Sequence, residues 1–155
     1  MSNFFSYAGA AEPEGTPAQR AILGELSSDD WEKFIGYAAR RRYPTGAVVV
    51  EAGSTARLLC FIASGQVEVR SAGAPKNAPR LVRGEGEVFG ILSFLDGAPS
   101  GITATVGAAG PAELLMLSPE ALLQLAAWQP RIAVALLRDL GAHVASRLRG
   151  LQPGD

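Results

Sequence analysis

Three glycines give one stretch of this sequence the capacity to hold an anion. The stretch Phe89–Thr105 (FGILSFLDGAPSGITAT), called the central stretch below, contains Gly90, Gly97 and Gly101. Because glycine adopts backbone conformations that other residues avoid, successive N–H groups can converge on one point, and such a concave group of donors binds anions. A strand–turn–strand with ordinary glycine and proline punctuation explains the same residues. The local sequence leaves both interpretations open.

Patterns typical of β-strands lie on both sides of the central stretch. Val48–Val50 and Leu58–Ala63 are continuous apolar runs, which indicate strands covered on both faces. Ser64-Gly65 fits a tight hairpin turn, and polar and apolar residues alternate in the run that follows it. Two further strand patterns come after the central stretch, at Ile102–Val106 and Glu113–Leu117. Short strands at this spacing predict a mainly β protein of the α+β class, built as a Greek-key barrel or jelly roll.

Helices are predicted at both ends of this β region. Thr16-Pro17 begins a short helix, and Ser27 with Asp30 forms a capping box that begins a second one. Ser118-Pro119 begins a third helix and Pro130 begins the last. The residues expected to pack the third helix are Leu122, Leu123, Leu125 and Trp128.

The apolar stripe of the last helix is broader than one domain face needs. Core packing explains it, and a seam between two copies of the chain explains it equally well. The same helix is the candidate for a lid that moves when a pocket fills. The residues of this stripe are Ile132, Leu136, Leu137, Leu140, Val144 and Leu148.

Length and composition fit one domain. The chain has 155 residues and a mass of 16.1 kDa, which we divide into a mobile arm (1–15), a single domain (16–150) and a tail (151–155). A net charge of −1 offers no basis for a nucleic-acid or membrane partner, and no apolar run approaches the ~20 residues of a membrane span. Three consecutive arginines, at 40–42, fit a solvated strand edge better than a nucleic-acid patch. Without a recognisable secretion signal, the chain is predicted to be cytoplasmic.

Catalytic chemistry has little support. The only histidine, His143, lies in the last helix and is expected to be exposed, and the only cysteine, Cys60, sits in a buried strand pattern. A single histidine and a single cysteine far apart in sequence make neither a nucleophile–base pair nor a metal-ligand set. We therefore predict that the chain is not an enzyme and has no catalytic residue and no metal site.

Several motifs, taken in order, resemble the cyclic nucleotide-binding domain family over roughly residues 26–148. They are the Gly46 turn, FIASGQVEV (Phe61–Val69), the Gly86…Phe89-Gly90 entry, SFLDGAP (Ser93–Pro99) and the terminal helices. The resemblance implies a double-stranded β-helix (jelly-roll) barrel with N-terminal helices and two C-terminal helices. It also implies a regulatory role.

The side chains that hold the ligand in this family are altered here. Members of the family pair the phosphate with an arginine beside the proline of the central motif, and a glutamate directly after Phe-Gly accepts from the ribose hydroxyl. In this sequence Ile91 follows Phe-Gly and Ser100 follows Pro99. A loop longer by two residues would place Ile102 at the arginine's position. No arginine or lysine occurs from Val88 to Pro130, so the position is uncharged in either alignment.

The resemblance therefore predicts a pocket without its usual polar contacts. An unpaired ribose hydroxyl costs ~1–3 kcal/mol. A missing cation beside a buried phosphate costs ~2–5 kcal/mol. Together these losses weaken binding at least about a hundredfold. We expect no bound cofactor and no tight binding of cyclic AMP or cyclic GMP; Ser100, Thr103 and loop N–H groups would hold an anion only weakly. The predicted pocket residues are Phe89, Gly90, Ile91, Leu92, Pro99, Ser100, Gly101, Ile102 and Thr103.

Three functional hypotheses follow. The first is a stand-alone sensor module whose last helix moves when the pocket fills. The second is an interaction module with a vestigial pocket, whose partner is an unidentified protein or a second copy held through the last helix. The third is a cyclic nucleotide-binding signalling protein with atypical contacts. Transcriptional members of the family carry a helix-turn-helix after the long helix, and because the sequence stops shortly after it, we expect no DNA binding.

Overall fold

Two antiparallel sheets form the body of the protein. The computed structural model describes residues 22–151. The predicted arm, most of the predicted N-terminal helix and nearly all of the predicted tail lie outside the described residues.

Within residues 22–151, each sheet has four strands. In chain order the strands are β1 (Ala39–Tyr43), β2 (Val48–Val50), β3 (Leu59–Ser64), β4 (Val67–Ser71), β5 (Leu81–Arg83), β6 (Val88–Phe89), β7 (Ile102–Val106) and β8 (Ala112–Leu117). One sheet has the order β1-β8-β3-β6 and the other has the order β2-β7-β4-β5. In the described part of the chain, the strand pairings join each sheet separately and do not close one continuous barrel. The prediction of a mainly β jelly-roll architecture with flanking helices is confirmed, in the form of two sheets.

Within residues 22–151, four helices flank or interrupt the sheets. They are α1 (Ser28–Ile35), α2 (Ile91–Asp96), α3 (Pro119–Trp128) and α4 (Pro130–Leu151). The predicted caps are present, because the Ser27 and Ser118 side chains each accept a hydrogen bond, at 3.1 Å, from the backbone N–H three residues on. Within residues 22–151, no helix is long and apolar enough to cross a membrane.

The carboxylate of Asp30 joins α1 to the beginning of α4. The Arg131 guanidinium donates two hydrogen bonds to it, at 2.7 and 2.8 Å. This bidentate pair holds the pKa of the Asp30 carboxyl below its ordinary value, because the neighbouring cation favours the ionised form. Of the capping box predicted from Ser27 and Asp30, the bond to the Ser27 hydroxyl is present. The Asp30 carboxylate binds Arg131, which is distant in sequence.

Strand β3 separates two apolar clusters. Leu59 and Phe61 point into a cluster shared with the helices, in which the rings of Phe34 and Phe61 meet edge to face at 5.2 Å. Cys60 and Ile62 point into a second cluster among the strands. Burial on both faces is what the continuous apolar run predicted. It also raises the pKa of the Cys60 thiol to about 12, so the thiol remains protonated.

The structure revises the packing expected for α3 and divides the apolar stripe of α4 between two faces. Of the four residues expected to pack α3, Leu125 is buried and Leu122 is partly buried against the core, whereas Leu123 and Trp128 are 71% and 75% exposed. On α4, half of the residues assigned to one stripe belong to the core of the same chain; these are Ile132, Leu136 and Leu140. Of the other three, Leu137 and Leu148 are exposed and Val144 is partly buried. The helix therefore has two apolar faces, and only the outer one is free to meet another molecule.

Candidate ligand-binding site

The central stretch folds as a strand end, one short helix and a loop. Gly90 and Gly97 flank α2, with φ angles of 83° and 76°. At Gly90 glycine is required twice over, because a Cβ would also lie 2.5 Å from the carbonyl oxygen of Leu58. The backbone can therefore fold back against the β2–β3 loop only with glycine at this position.

Two clefts open on the two sides of this helix and loop. The first, of about 270 Å³, is lined by β2 and the loop after it, and its one charged lining residue is Glu51. The second, of about 210 Å³, lies between the central stretch, β5 and α4. The residues that line both clefts are Phe89, Gly90, Ser93 and Ser100.

Most of the predicted pocket residues line the second cleft. The exceptions are Pro99 and Thr103, which line neither cleft. Ile91 is only 5% exposed and packs into the core cluster shared with the helices, whereas Leu92 is 56% exposed. The residues brought together as predicted are Phe89, Gly90, Ile91, Leu92, Ser100, Gly101 and Ile102.

The hydroxyl groups expected to hold an anion bind the protein's own backbone. Ser100 Oγ donates to the carbonyl oxygen of Ile102 at 2.8 Å and accepts from its N–H at 3.2 Å. The Ser100 N–H donates to the carbonyl oxygen of Ser54 at 2.8 Å. Thr103 Oγ1 accepts from the N–H of Ala52 at 3.0 Å. Both donors of Ser100 are therefore used within the protein, and an anion would have to displace them; Thr103, whose hydroxyl serves here as an acceptor, lines neither cleft.

Arg57, which the sequence did not single out, fixes the end of α2. Its guanidinium donates to the carbonyl oxygens of Ser93 and Phe94, at 3.2 and 2.8 Å. The carbonyl oxygen of Ser93 also accepts from the Gly97 N–H at 2.9 Å. Phe94 lies in the last turn, where a carbonyl has no later N–H within the helix, so the Arg57 bond to Phe94 takes the place of water. Arg57 acts as a positioning residue for the helix between the two clefts.

Three basic side chains line the second cleft: Arg83 from β5, and His143 and Arg147 from α4. The pKa of His143 lies below its ordinary value, first because the ring is partly buried and then because of the charges of Arg147 and Arg83. His143 is thus half-buried at the cleft and not exposed as expected. The sequence contained a signal for part of this wall. Residues 143 and 147 are four apart and share one face of a helix, and Arg83 points to the opposite face of its strand from Val82.

The outline of the fold and the position of the clefts permit comparison with known proteins. The family model of the cyclic nucleotide-binding domain matches residues 40–127, which is more than half of the chain. The chain belongs to the cyclic nucleotide-binding domain family. Members of this family are typically regulatory and not catalytic.

Solved structures of bacterial regulators share the fold of this cyclic nucleotide-binding domain. The catabolite activator protein of Thermus thermophilus is 29% identical, with a TM-score of 0.72 over 84% of this chain and 59% of that one. The N-terminal domain of a transcriptional regulator from Streptomyces coelicolor is 21% identical, with a TM-score of 0.71 over 89% of this chain and 95% of that one.

A curated relative is an enzyme of which the domain covers a small part. Glutaminase 2 of Bradyrhizobium diazoefficiens is 30% identical over 131 residues, which is 84% of this chain and 20% of the relative. The chain therefore spans about a fifth of that enzyme's length and about three fifths of the Thermus activator.

Within residues 22–151, no three His, Cys, Asp or Glu side chains are grouped to hold a metal ion.

Proposed function

We propose that this cyclic nucleotide-binding domain is a regulatory sensor module that does not bind cyclic AMP or cyclic GMP tightly. One observation carries the proposal: α2 and its flanking glycines form the turn expected of the family, but the side chains at the ligand-holding positions cannot make the ligand's polar contacts. Ile91 is apolar and buried in the core. Neither Ser100 nor Ile102 carries a charge, and the Ser100 hydroxyl binds the backbone.

The arginines near the central stretch do not replace the missing one in the same place. Arg57 binds two carbonyl oxygens at the end of α2. Arg83 and Arg147 belong to the β5 and α4 wall of the second cleft, and Arg83 is 3.5 Å from a carboxylate oxygen of Glu87. A ribose hydroxyl left without an acceptor costs ~1–3 kcal/mol in any case.

Helix α4 is the element that would respond to a ligand. Its first half is held by residues buried in the core, among them Ile132, Leu136 and Leu140. Its second half contributes His143 and Arg147 to the second cleft and has no fully buried residue. A ligand in that cleft would contact the less firmly packed half of the helix, so occupancy of the cleft would change the position of α4.

Calorimetric titration tests the nucleotide specificity. We expect no heat of binding from cyclic AMP or cyclic GMP, because the Kd should be weaker than about 0.1 mM after the loss of at least ~3 kcal/mol. Binding of either nucleotide in the micromolar range would reject the proposal. It would favour the alternative of a cyclic nucleotide sensor with atypical contacts.

The outer face of α4 supports a second candidate function, self-association. Its apolar residues recur at alternating steps of three and four, which is the spacing of a coiled-coil seam. Four of them are exposed in the single chain by 42% to 79%: Val134, Leu137, Leu148 and Leu151. Gly141 and Val144 occupy the remaining seam positions, and Val144 also packs in part against the core of its own chain. We propose that two copies of the chain pair along this seam.

Light scattering after size exclusion tests the seam. The unmodified protein is expected to be a dimer, and the double substitution Leu137→Gln with Leu148→Gln is expected to make it a monomer. Removing four leucine side chains from a symmetric seam costs about 6 kcal/mol. The matched control is Arg138→Gln with Arg149→Gln, one residue further along the helix, which should remain dimeric. A monomeric unmodified protein, or equal behaviour of the two double variants, would contradict the seam.

A further inference from the structure

The second cleft combines a cationic wall with an apolar lining. Arg83, His143 and Arg147 supply the positive side chains, and none of the residues that line the cleft is acidic. Within residues 22–151, no carboxylate oxygen lies within 4.0 Å of the Arg147 guanidinium, and Arg83 has only the longer contact of 3.5 Å to Glu87. The charge of Arg83 is thus partly balanced by Glu87, and that of Arg147 is not balanced by a carboxylate of these residues. Neighbouring cationic groups repel, and a bound anion relieves that repulsion.

The rest of the lining is mostly apolar. Val69, Ile91 and Ile102 contribute to it, and Leu81 and Leu92 are 53% and 56% exposed, although both line the cleft. Large apolar side chains left open to solvent beside a concave surface gain free energy when an apolar molecule covers them. An occupant that suits this cleft therefore has an apolar body and one negatively charged group.

We propose that the second cleft binds a small organic anion with an apolar body, and that its charged group lies between Arg83, His143 and Arg147. This inference rests on the proposed function only in taking the second cleft as the sensor's ligand site. The charge of the ligand is then held by β5 and α4, whereas in the family it is held by the central stretch. Because His143 and Arg147 lie in the less firmly packed half of α4, the bound anion ties that half to the sheet.

A pair of probes of the same shape and different charge tests the proposal on the full chain. 1-Naphthalenesulfonate is an apolar body with one negative charge, and 1-naphthalenesulfonamide is its uncharged counterpart. In calorimetric titrations we expect the sulfonate to bind at least about tenfold more tightly than the sulfonamide, since one charge-assisted contact contributes ~1.5–3 kcal/mol. Equal affinity for the two probes, or no binding of either one at millimolar concentration, would overturn the proposal.

Substitutions locate the charged group of the probe. Arg83→Gln and Arg147→Gln, made separately, are each expected to weaken sulfonate binding about tenfold and to leave sulfonamide binding unchanged. Arg149→Gln, at an exposed position of α4 that does not line the cleft, is the matched control and should change neither. An equal loss in Arg149→Gln, or no loss in both of the other variants, would show that the charge is not held at this wall. Circular dichroism confirms that each variant is folded.

Protonation of His143 provides an independent readout. The groups that face its ring are Arg147 on α4 and Arg83 on β5, and their charges, with burial, favour the neutral imidazole. An anion beside the ring favours the imidazolium, so sulfonate affinity should rise as the pH falls from about 8 to about 5, while the sulfonate itself stays ionised. His143→Gln should abolish this rise, and a pH dependence that survives the substitution contradicts the assigned position.

The two proposals fail in different ways. Micromolar binding of cyclic AMP rejects the proposed nucleotide specificity, whatever the naphthalene probes do. Failure of the unmodified protein to prefer the sulfonate rejects the charged cleft, even if cyclic AMP does not bind.

Discussion

The double substitution Ile91→Glu with Ile102→Arg is expected to create affinity for cyclic AMP at least about a hundredfold above that of the unmodified protein. A carboxylate at 91 would accept from the ribose hydroxyl, and this hydrogen bond would strengthen binding by ~1–3 kcal/mol. A guanidinium at 102 would pair with the phosphate, and this ion pair would strengthen binding by ~2–5 kcal/mol. Both positions line the second cleft. Calorimetric titration with cyclic AMP measures the gain directly.

Position 102 is the less disruptive of the two places for the arginine. Ser100 is 7% exposed and its hydroxyl makes two hydrogen bonds with the backbone of Ile102, so Ser100→Arg would remove both bonds and place a large cation at a buried position. Ile102 is only partly buried and begins β7. The pair Ile91→Glu with Ser100→Arg should therefore gain less affinity and lose more thermal stability than the pair with Ile102→Arg.

The matched control for this experiment replaces both isoleucines without adding a charge or a strong hydrogen-bonding group. Ile91→Met with Ile102→Met introduces unbranched side chains that carry neither a carboxylate for the ribose hydroxyl nor a cation for the phosphate, and should bind cyclic AMP no better than the unmodified protein. Without ligand, Ile91→Glu should lower the melting temperature, because it places a carboxylate at a buried position, at which the isoleucine is only 5% exposed. A folded double variant that ignores cyclic AMP would show that the ligand site lies elsewhere.

Gly90→Ala is expected to destabilise the domain more than any other single-methyl change in the central stretch. The positive φ of 83° costs an alanine ~1–2 kcal/mol. The new Cβ would also lie 2.5 Å from the carbonyl oxygen of Leu58, so the backbone must move, and overpacking of this kind costs ~1–3 kcal/mol. The sum, about 2–5 kcal/mol, corresponds to a fall in melting temperature of roughly 4–20 °C, which calorimetry measures.

Gly53→Ala separates the two contributions. Gly53 has a φ of 91°, and nothing lies within 4 Å of the position its Cβ would occupy. This variant should show the conformational cost alone and melt at a temperature between those of Gly90→Ala and the unmodified protein. If the two variants melted at the same temperature, the close approach to Leu58 would not contribute.

The pattern of residues along the chain was sufficient for the architecture. The unbroken apolar run at Leu58–Ala63 indicated a strand buried on both faces, and β3 separates the two clusters as that run requires. Ser27 and Ser118 begin helices where their spacing predicts. These features depend on neighbours within a few residues, so local chemistry and periodicity determine them.

Nearly all of the predicted pocket residues lie close together in the sequence, so the sequence could also place them together in the fold. Phe89, Gly90, Ile91 and Leu92 are consecutive, and the short loop at 97–101 returns Ser100 to the same cleft. Because the residue that follows each motif can be read directly, the sequence also predicts an uncharged central stretch.

What the sequence left open was decided by contacts between distant segments. The sequence does not show that the Ser100 and Thr103 hydroxyl groups have partners within the chain. Both are hydrogen-bonded in the fold, Thr103 to a residue fifty-one positions away. The cations of the second cleft come from β5 and α4, segments joined only by tertiary packing. Periodicity likewise could not divide the broad stripe of α4 into an inner and an outer face. Side-chain pattern specifies which faces of an element are apolar, and only the packed chain specifies which of those faces is already covered.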